Sequence, residues 1–248
     1  MRVAVAGPTG RIGSLVQDRL LARGHQVVPL SRTHGIDLLD GGPSLRTALR
    51  GVAAVIDASS LAATDNAEAE RVHVAATAAL LDAEDEAGVG HHVVLSIACL
   101  DRVSGGPHYV GKRAQERTVK AGTVPYTIVR ATQFHDFPAM IARRALVDGV
   151  APIPPLLLQP VAPVEVADVL VEIAEGQALG DTLVLAGPGT EDAVDMARRT
   201  LAAQGQQVTL RPTWQGTFGL EFAGEVLLAD EGARLGRVTF DEWLGSLQ

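Results

Sequence analysis

The segment Gly7-Pro-Thr-Gly-Arg-Ile-Gly13 constrains the fold more tightly than any other part of the chain. It follows directly on the short apolar run Arg2-Val-Ala-Val-Ala6, the pattern of a buried parallel strand entering a tight turn. Behind it, Ile12, Leu15, Val16 and Leu20 recur at helical spacing until Gly24 supplies a stop. Each glycine has a physical purpose between such a strand and such a helix. Gly7 can take the backbone angles of the sharp turn, Gly10 lets the main chain approach a bulky anion, and Gly13 lets the helix lie close against the sheet. The N–H groups that open the helix then face that anion. Gly7, Thr9, Gly10, Arg11, Ile12 and Gly13 are therefore the expected lining of a dinucleotide pyrophosphate site.

The alternation of strand and helix continues downstream. Gln26 to Leu30 reads as a second strand, Gly35-Ile-Asp37 as a short third and Ala53 to Asp57 as a fourth, with a helix from Pro43 to Leu49 between the last two. A long alanine-rich helix from about Asp65 to Ala87 leads to a strand at His91 to Ser96, and a helix around Gly111 to Val119 leads to a strand at Tyr126 to Arg130. Six strands in this rhythm predict an α/β fold of the Rossmann type, a doubly wound parallel sheet. Pro152, Pro154, Pro155 and Pro160 then mark an irregular crossing segment, read as a lid and substrate-side loop. A helix from Val164 to Ala174 and a seventh strand at Thr182 to Ala186 follow. One more helix lies beyond Glu191, and Phe240 and Trp243 should pack the tail against the body. The expected organisation is one domain, with a dinucleotide-binding core over 1–146 and a small substrate-side and C-terminal lobe over 147–248.

Composition narrows the partners. Hydrophobic residues make up 47% and aromatic ones only 4%, so Ala, Val and Leu must carry the core, which suits helices packed on a parallel sheet. A formal charge of −8 without a basic stripe argues against nucleic acid and leaves a small molecule as the expected ligand. The lone Cys99 excludes an internal disulfide and a multi-cysteine metal site, fits a reducing compartment and reads as a small buried hydrophobe. No long apolar run follows a charged start, so neither a signal peptide nor a membrane span is expected and a cytoplasmic location is. His91 and His92 should point to opposite faces of their strand, which argues against a metal site. Asp65, Glu68, Glu70, Asp82, Glu84, Asp85 and Glu86 read as a solvated acidic helix face and turn. Monomer and homodimer are both compatible with the sequence.

The end of the second strand distinguishes the two nicotinamide dinucleotides, because an acidic residue there hydrogen-bonds the ribose 2′-hydroxyl and repels a 2′-phosphate. This chain has Ser31-Arg32 at that point. Arg32 can fork onto a phosphate, Ser31 can donate to it, and Arg11 can add a second positive charge, so NADP(H) is favoured over NAD(H).

With Gly7-Pro-Thr-Gly-Arg-Ile-Gly13, Ser31-Arg32, Leu95-Ser96-Ile97, Lys112-Arg-Ala-Gln-Glu116 and Val129-Arg-Ala-Thr-Gln-Phe134 in order, the chain resembles atypical short-chain dehydrogenases/reductases of the NmrA-like kind over nearly its whole length. The resemblance implies that Asp37-Leu38 borders the adenine, that Ala58-Ser59 lines the ribose and that Lys112 holds the nicotinamide ribose. It implies a substrate wall at Thr132, Gln133, Phe134 and His135, and a substrate-orienting role for Ser96. One departure stands out: the superfamily pairs a Tyr with a Lys four residues later, and here His108 stands four before Lys112, with Tyr109 out of register by about 100° of helix. His108, whose unperturbed pKa is near 6.5, and Tyr109 are thus alternative proton donors, with solvent a third. His135 faces the pocket or caps a helix beginning near Asp136. Two functions follow as alternatives: an NADPH-dependent oxidoreductase acting on a carbonyl, imine or conjugated double bond, or a non-catalytic NADP(H)-binding sensor. The mismatched tyrosine and the short region after residue 150 set a nucleotide-sugar epimerase aside.

Overall fold

A computed structural model describes residues 1–216 and 218–247. The apolar run at the N-terminus becomes the interior of a sheet: β1 (Arg2–Ala6) pairs in parallel with β2 (Gln26–Leu30) on one side and β3 (Ala54–Asp57) on the other. Val3, Ala4, Val5 and Ala6 have no exposed surface, as a strand covered on both faces requires. Between these strands run α1 (Arg11–Ala22) and α2 (Pro43–Ala48). Next come α3 (Asn66–Ala87), β4 (His91–Ile97), α4 (Pro107–Ala121) and β5 (Tyr126–Ala131). The remainder consists of α5 (Phe137–Arg144), β6 (Val150–Ile153), β7 (Leu157–Leu158), α6 (Pro163–Glu175), β8 (Asp181–Ala186), β9 (Glu191–Asp192), α7 (Ala193–Ala203), β10 (Thr209–Pro212), β11 (Arg234–Leu235) and α8 (Phe240–Gly245). The main sheet has seven strands in the order β11-β8-β5-β4-β3-β1-β2. This is the doubly wound α/β arrangement that the alternating pattern predicts.

Three features of the sequence reading change. Gly35-Ile-Asp37 is not a strand: Arg32–His34 forms a 3₁₀ turn, Gly35 takes a left-handed conformation at φ 74°, and Ile36 N–H returns to the Ser31 carbonyl. The strand expected at Thr182 to Ala186 forms as β8, and the sheet's count of seven is completed by Arg234–Leu235, parallel to β8, in place of Gly35–Asp37. The proline-rich crossing segment is partly regular, because β6 pairs with β10 and β7 with β9 in two-stranded ribbons whose outer edges tolerate Pro152 and Pro212. And α4 begins at Pro107 rather than near Gly111, since proline is preorganised for the first helical position and Gly106 takes the cap.

The chain gathers into two units. The first comprises Met1–Ser96, Gly105–Arg130 and Val166–Leu183. Within it α3 opens with an Asp65 cap on the Glu68 N–H and closes on left-handed Gly88. Its acidic residues are not all solvated: Glu84 is fully buried, and its carboxylate accepts from His92 Nδ1 at 2.9 and 3.0 Å. His91 points to the opposite face, where its Nε2 meets Thr127 Oγ1 at 2.9 Å. The second unit comprises Ile97–Ser104, Ala131–Glu165 and Val184–Gln248. There Cys99 is half-buried rather than buried, and its thiol donates to the Leu228 carbonyl. The tail does fold back: Phe240 stacks on Trp243, both rings meet His135 edge-on, and the Arg199 guanidinium covers Phe240.

Candidate dinucleotide site

The order in which the chain adds strands reverses between β1 and β3, since β2 lies beyond β1 and β4 beyond β3. Ligands of doubly wound sheets sit at such a switch point, beyond the carboxyl ends of the strands. The turns after β1 and β3 meet there. A side chain on Gly7, which has φ +74°, would stand 2.8 Å from Ser59 Cα and 2.9 Å from the Ala58 carbonyl oxygen. Gly13, inside the first turn of α1, is tighter still, for a Cβ there would lie 2.1 Å from the Gly7 carbonyl oxygen. Gly10 caps α1 without a side-chain hydrogen bond, and a Cβ there would meet only the Gly7 oxygen, at 3.2 Å. Gln17 pins the turn by donating to the Pro8 carbonyl at 2.9 Å. The first intrahelical bond runs from Ser14 to Gly10, which leaves the Ile12 and Gly13 amides aimed out of the helix end. Thr9, Gly10 and Arg11 are exposed around it, and partial desolvation of the Arg11 guanidinium against the protein lowers it to about 10, still cationic at neutral pH. These glycines make a cradle that any larger residue would fill, and a pyrophosphate fits it.

At the end of β2, Arg32 is exposed and its guanidinium has no ion-pair partner among the described residues. Ser31 Oγ lies 2.8 Å from Thr33 Oγ1 and 2.7 Å from His34 Nδ1, so two hydroxyls and an imidazole cluster in the turn that carries Arg32. Of the pair read as the adenine border, Asp37 accepts from the Leu39 N–H at 3.0 Å and Leu38 is buried in the hydrophobic core.

The residues read as catalytic are already engaged. Lys112 is 4% exposed, and its three N–H groups go to the carbonyls of Ser59 at 3.0 Å and Leu95 at 2.9 Å and to Gln115 Oε1 at 2.8 Å. Burial holds its ammonium below the ordinary lysine value, against the opposing pull of Asp57 and Glu116. The Ser96 hydroxyl donates to Glu116 Oε1 at 2.5 Å, and Arg130 binds the same carboxylate at 2.6 and 2.8 Å. Tyr109 is buried against Gly105, where a Cβ would stand 2.5 Å from its ring. His108 lies one helical turn before Lys112 and is exposed. Desolvation of its ring, with Lys112 and His73 nearby, lowers its pKa to about 4, so the imidazole is neutral near neutrality and a poor proton donor there.

In the second unit, Thr132 Oγ1 donates to the Gln159 carbonyl at 2.6 Å and Phe134 is half-buried. His135 neither caps a helix nor lines an opening. It is fully buried, with Nε2 at 3.0 Å from the Pro160 carbonyl and its ring packed on Phe240 and Trp243. Gln133 differs from these neighbours: its side chain is buried, and neither amide atom has a hydrogen-bond partner among the described residues.

The sequence profile of the NAD(P)H-binding family matches residues 7–177, well over half of the chain, beginning at the first glycine of the turn. The chain belongs to the NAD(P)H-binding family. A curated relative of this NAD(P)H-binding protein is the Photosystem II assembly factor Ycf39 of Synechocystis, 29% identical over an alignment of 147 positions, with 54% of this chain and 45% of that protein covered. The chain thus spans about half the length of the curated relatives it matches. Among solved structures it is similar to a short-chain dehydrogenase/reductase superfamily protein from Agrobacterium tumefaciens with bound NAD, at TM-score 0.71 and 18% identity, covering 100% of this chain and 96% of that one. It is also similar to an NADPH-dependent quinone oxidoreductase from Escherichia coli, at TM-score 0.69 and 18% identity, covering 99% of each. At these identities the likeness is one of fold.

Sequence reasoning missed three residues of this NAD(P)H-binding protein that the structure brings to the site. Asp57 closes β3 with its side chain 1% exposed, Gln115 links it to Lys112, and Glu116 joins Ser96 to Arg130. A signal was present: a carboxylate at the end of the otherwise apolar Ala54-Val-Ile-Asp57, and a glutamine three residues after the lysine, on the same helix face.

Proposed function

We propose that this chain binds NADP(H) and passes hydride to a small organic acceptor bearing a carbonyl, imine or conjugated double bond. The observation that carries the reading is the cradle of Gly7, Gly10 and Gly13 at the start of α1, combined with a strand end that offers Ser31 and Arg32 and no carboxylate. Bound there, the cofactor supplies the hydride. The protein's part is to hold the phosphates on the α1 amides and the 2′-phosphate on Arg32, and to orient the acceptor. Ser96, Lys112 and Tyr109 are engaged or buried and His108 is neutral, so the proton that completes the reduction comes from solvent. Acceptors whose reduced anion takes a proton readily from water are the best matched, and the quinone substrate named for the E. coli neighbour is of that kind.

NADPH should bind at least about tenfold more tightly than NADH, a difference of about 1.4 kcal/mol, and Arg32→Ala should remove most of it. Fluorescence titration of both cofactors on both proteins measures this; equal affinities in the wild type would end the NADP(H) assignment.

For the acceptor, Gln133 is the proposed contact. A buried amide without partners costs about 1–3 kcal/mol, which a fold keeps where a ligand supplies the missing bonds. Gln133→Met should therefore melt higher than wild type while losing turnover of an accepted substrate from a quinone and carbonyl panel. A lower melting temperature would show the amide to be structural. The engaged Ser96 and Lys112 also favour a second reading, a non-catalytic NADP(H) sensor; tight NADPH binding with no turnover across the panel would select it.

A further inference from the structure

Asp57, Ser59, Lys112 and Gln115 form a closed circuit. Asp57 Oδ1 accepts from the Ser59 N–H at 2.9 Å, and its Oδ2 accepts from Gln115 Nε2 at 2.8 Å. Gln115 Oε1 accepts from Lys112 Nζ at 2.8 Å, and Lys112 Nζ returns to the Ser59 carbonyl at 3.0 Å. The Ser59 main chain is thus held from both sides, its N–H by a carboxylate and its carbonyl by an ammonium. Ser59 is also the residue against which Gly7 closes, since its Cα stands 2.8 Å from where a Gly7 Cβ would be. All four residues are less than one-tenth exposed, so solvent cannot replace a lost partner.

We propose that Asp57 and Gln115 are positioning residues that set the wall of the cofactor site, and that Lys112 serves this circuit as a clamp across the ends of β3 and β4. The inference rests on the NADP(H) reading above and deepens it. The third Lys112 bond, to the Leu95 carbonyl at 2.9 Å, ties β4 into the same clamp. Polarity runs one way around the circuit. An ionised carboxylate only accepts and an ammonium only donates, so the Gln115 amide must turn its NH₂ to Asp57 and its oxygen to Lys112. Charge balances as well, with one buried carboxylate and one buried ammonium joined through a neutral amide.

That polarity supplies the test. In Asp57→Asn, the amide that replaces the carboxylate still accepts from Ser59 but now presents a donor to the Gln115 donor. In Gln115→Glu, two carboxylates face one another. The double variant Asp57→Asn/Gln115→Glu restores a donor opposite every acceptor and the original net charge. NADPH affinity should fall about tenfold or more in each single variant and return to within about threefold of wild type in the double, a coupling typical of residues in one network. Titrations are made at a temperature where circular dichroism shows each protein folded, a condition under which a merely structural role leaves affinity unchanged. If a single variant fails to fold, the double variant decides: wild-type affinity supports the circuit, and an affinity as low as that of the surviving single variant overturns it. Single variants that bind like wild type overturn it too, while a wild type that binds no NADPH removes the functional reading along with it.

Discussion

Gly10→Val should fold and melt close to wild type yet bind no NADPH, whereas Gly13→Val should lose its dinucleotide and about 3 kcal/mol of stability together. The two glycines are three residues apart and differ only in what surrounds them. At Gly10 a new side chain meets a single atom, the Gly7 carbonyl oxygen at 3.2 Å, and otherwise points into the space that a pyrophosphate would take. The fold can absorb that contact; the anion cannot. At Gly13 even a Cβ would stand 2.1 Å from the Gly7 carbonyl oxygen, 2.8 Å from the Gly7 carbonyl carbon and 3.0 Å from Pro8 Cα. All three are backbone atoms, and the turn they belong to is pinned by Gln17 and by Gly7 against Ser59. Relief requires α1 to lift away from β1, whose Val3, Ala4, Val5 and Ala6 are fully buried beneath it. Urea unfolding and fluorescence titration on both variants separate the effects. Normal NADPH binding by folded Gly10→Val would show the phosphates to lie elsewhere, and wild-type stability in Gly13→Val would show that the turn is not held as tightly as its contacts imply.

The glycine turn was legible in the sequence because its chemistry is local: residues adjacent in the chain make a strand, a turn and a helix start, and hydrophobic period reports each. The same holds for α3 with its Asp65 cap and Gly88 stop. What the sequence could not disclose depends on pairs far apart in the chain. Lys112 reads as a ribose ligand, and only the fold shows that the carbonyls of Ser59 and Leu95 accept hydrogen bonds from its ammonium. Ser96 reads as a substrate contact, and only the fold shows Glu116 of α4 accepting from its hydroxyl. Gly35-Ile-Asp37 is too short for period to discriminate, and the left-handed Gly35 turned it into a connection, while Arg234–Leu235, two residues long, carried no signal at all. Glu84 was misread for a related reason: it sits within an acidic run that is otherwise exposed, and only the partner eight residues on explains its burial.

That partner makes Glu84→Leu the variant with the largest expected loss of stability, about 3–5 kcal/mol, because it leaves the buried imidazole of His92 without its counter-charge. Both side chains have no exposed surface, so water cannot compensate. In a chain of 248 residues this corresponds to a fall of roughly 10 °C in melting temperature. Replacing both partners, Glu84→Leu with His92→Phe, should recover most of the loss, since an apolar pair of similar volume removes the need for charge. The pH dependence gives an independent reading of the pair. Burial raises the Glu84 carboxyl, against the pull of His92. Burial opposes the charged His92 imidazole, yet the charge and hydrogen bond of Glu84 outweigh it and raise that pKa as well. The folded pair therefore binds protons more tightly than the unfolded chain. The His92 contribution is complete below the unfolded imidazole value of about 6.5 and is lost as pH rises through the raised folded value. The Glu84 shift has the same sign from about 4.5 upward. The margin of wild type over Glu84→Leu should accordingly be larger at about pH 6 than at about pH 9, measured by urea unfolding at each. A margin that grew with pH, or a double variant no more stable than Glu84→Leu, would mean that the two groups do not share a proton in the folded protein.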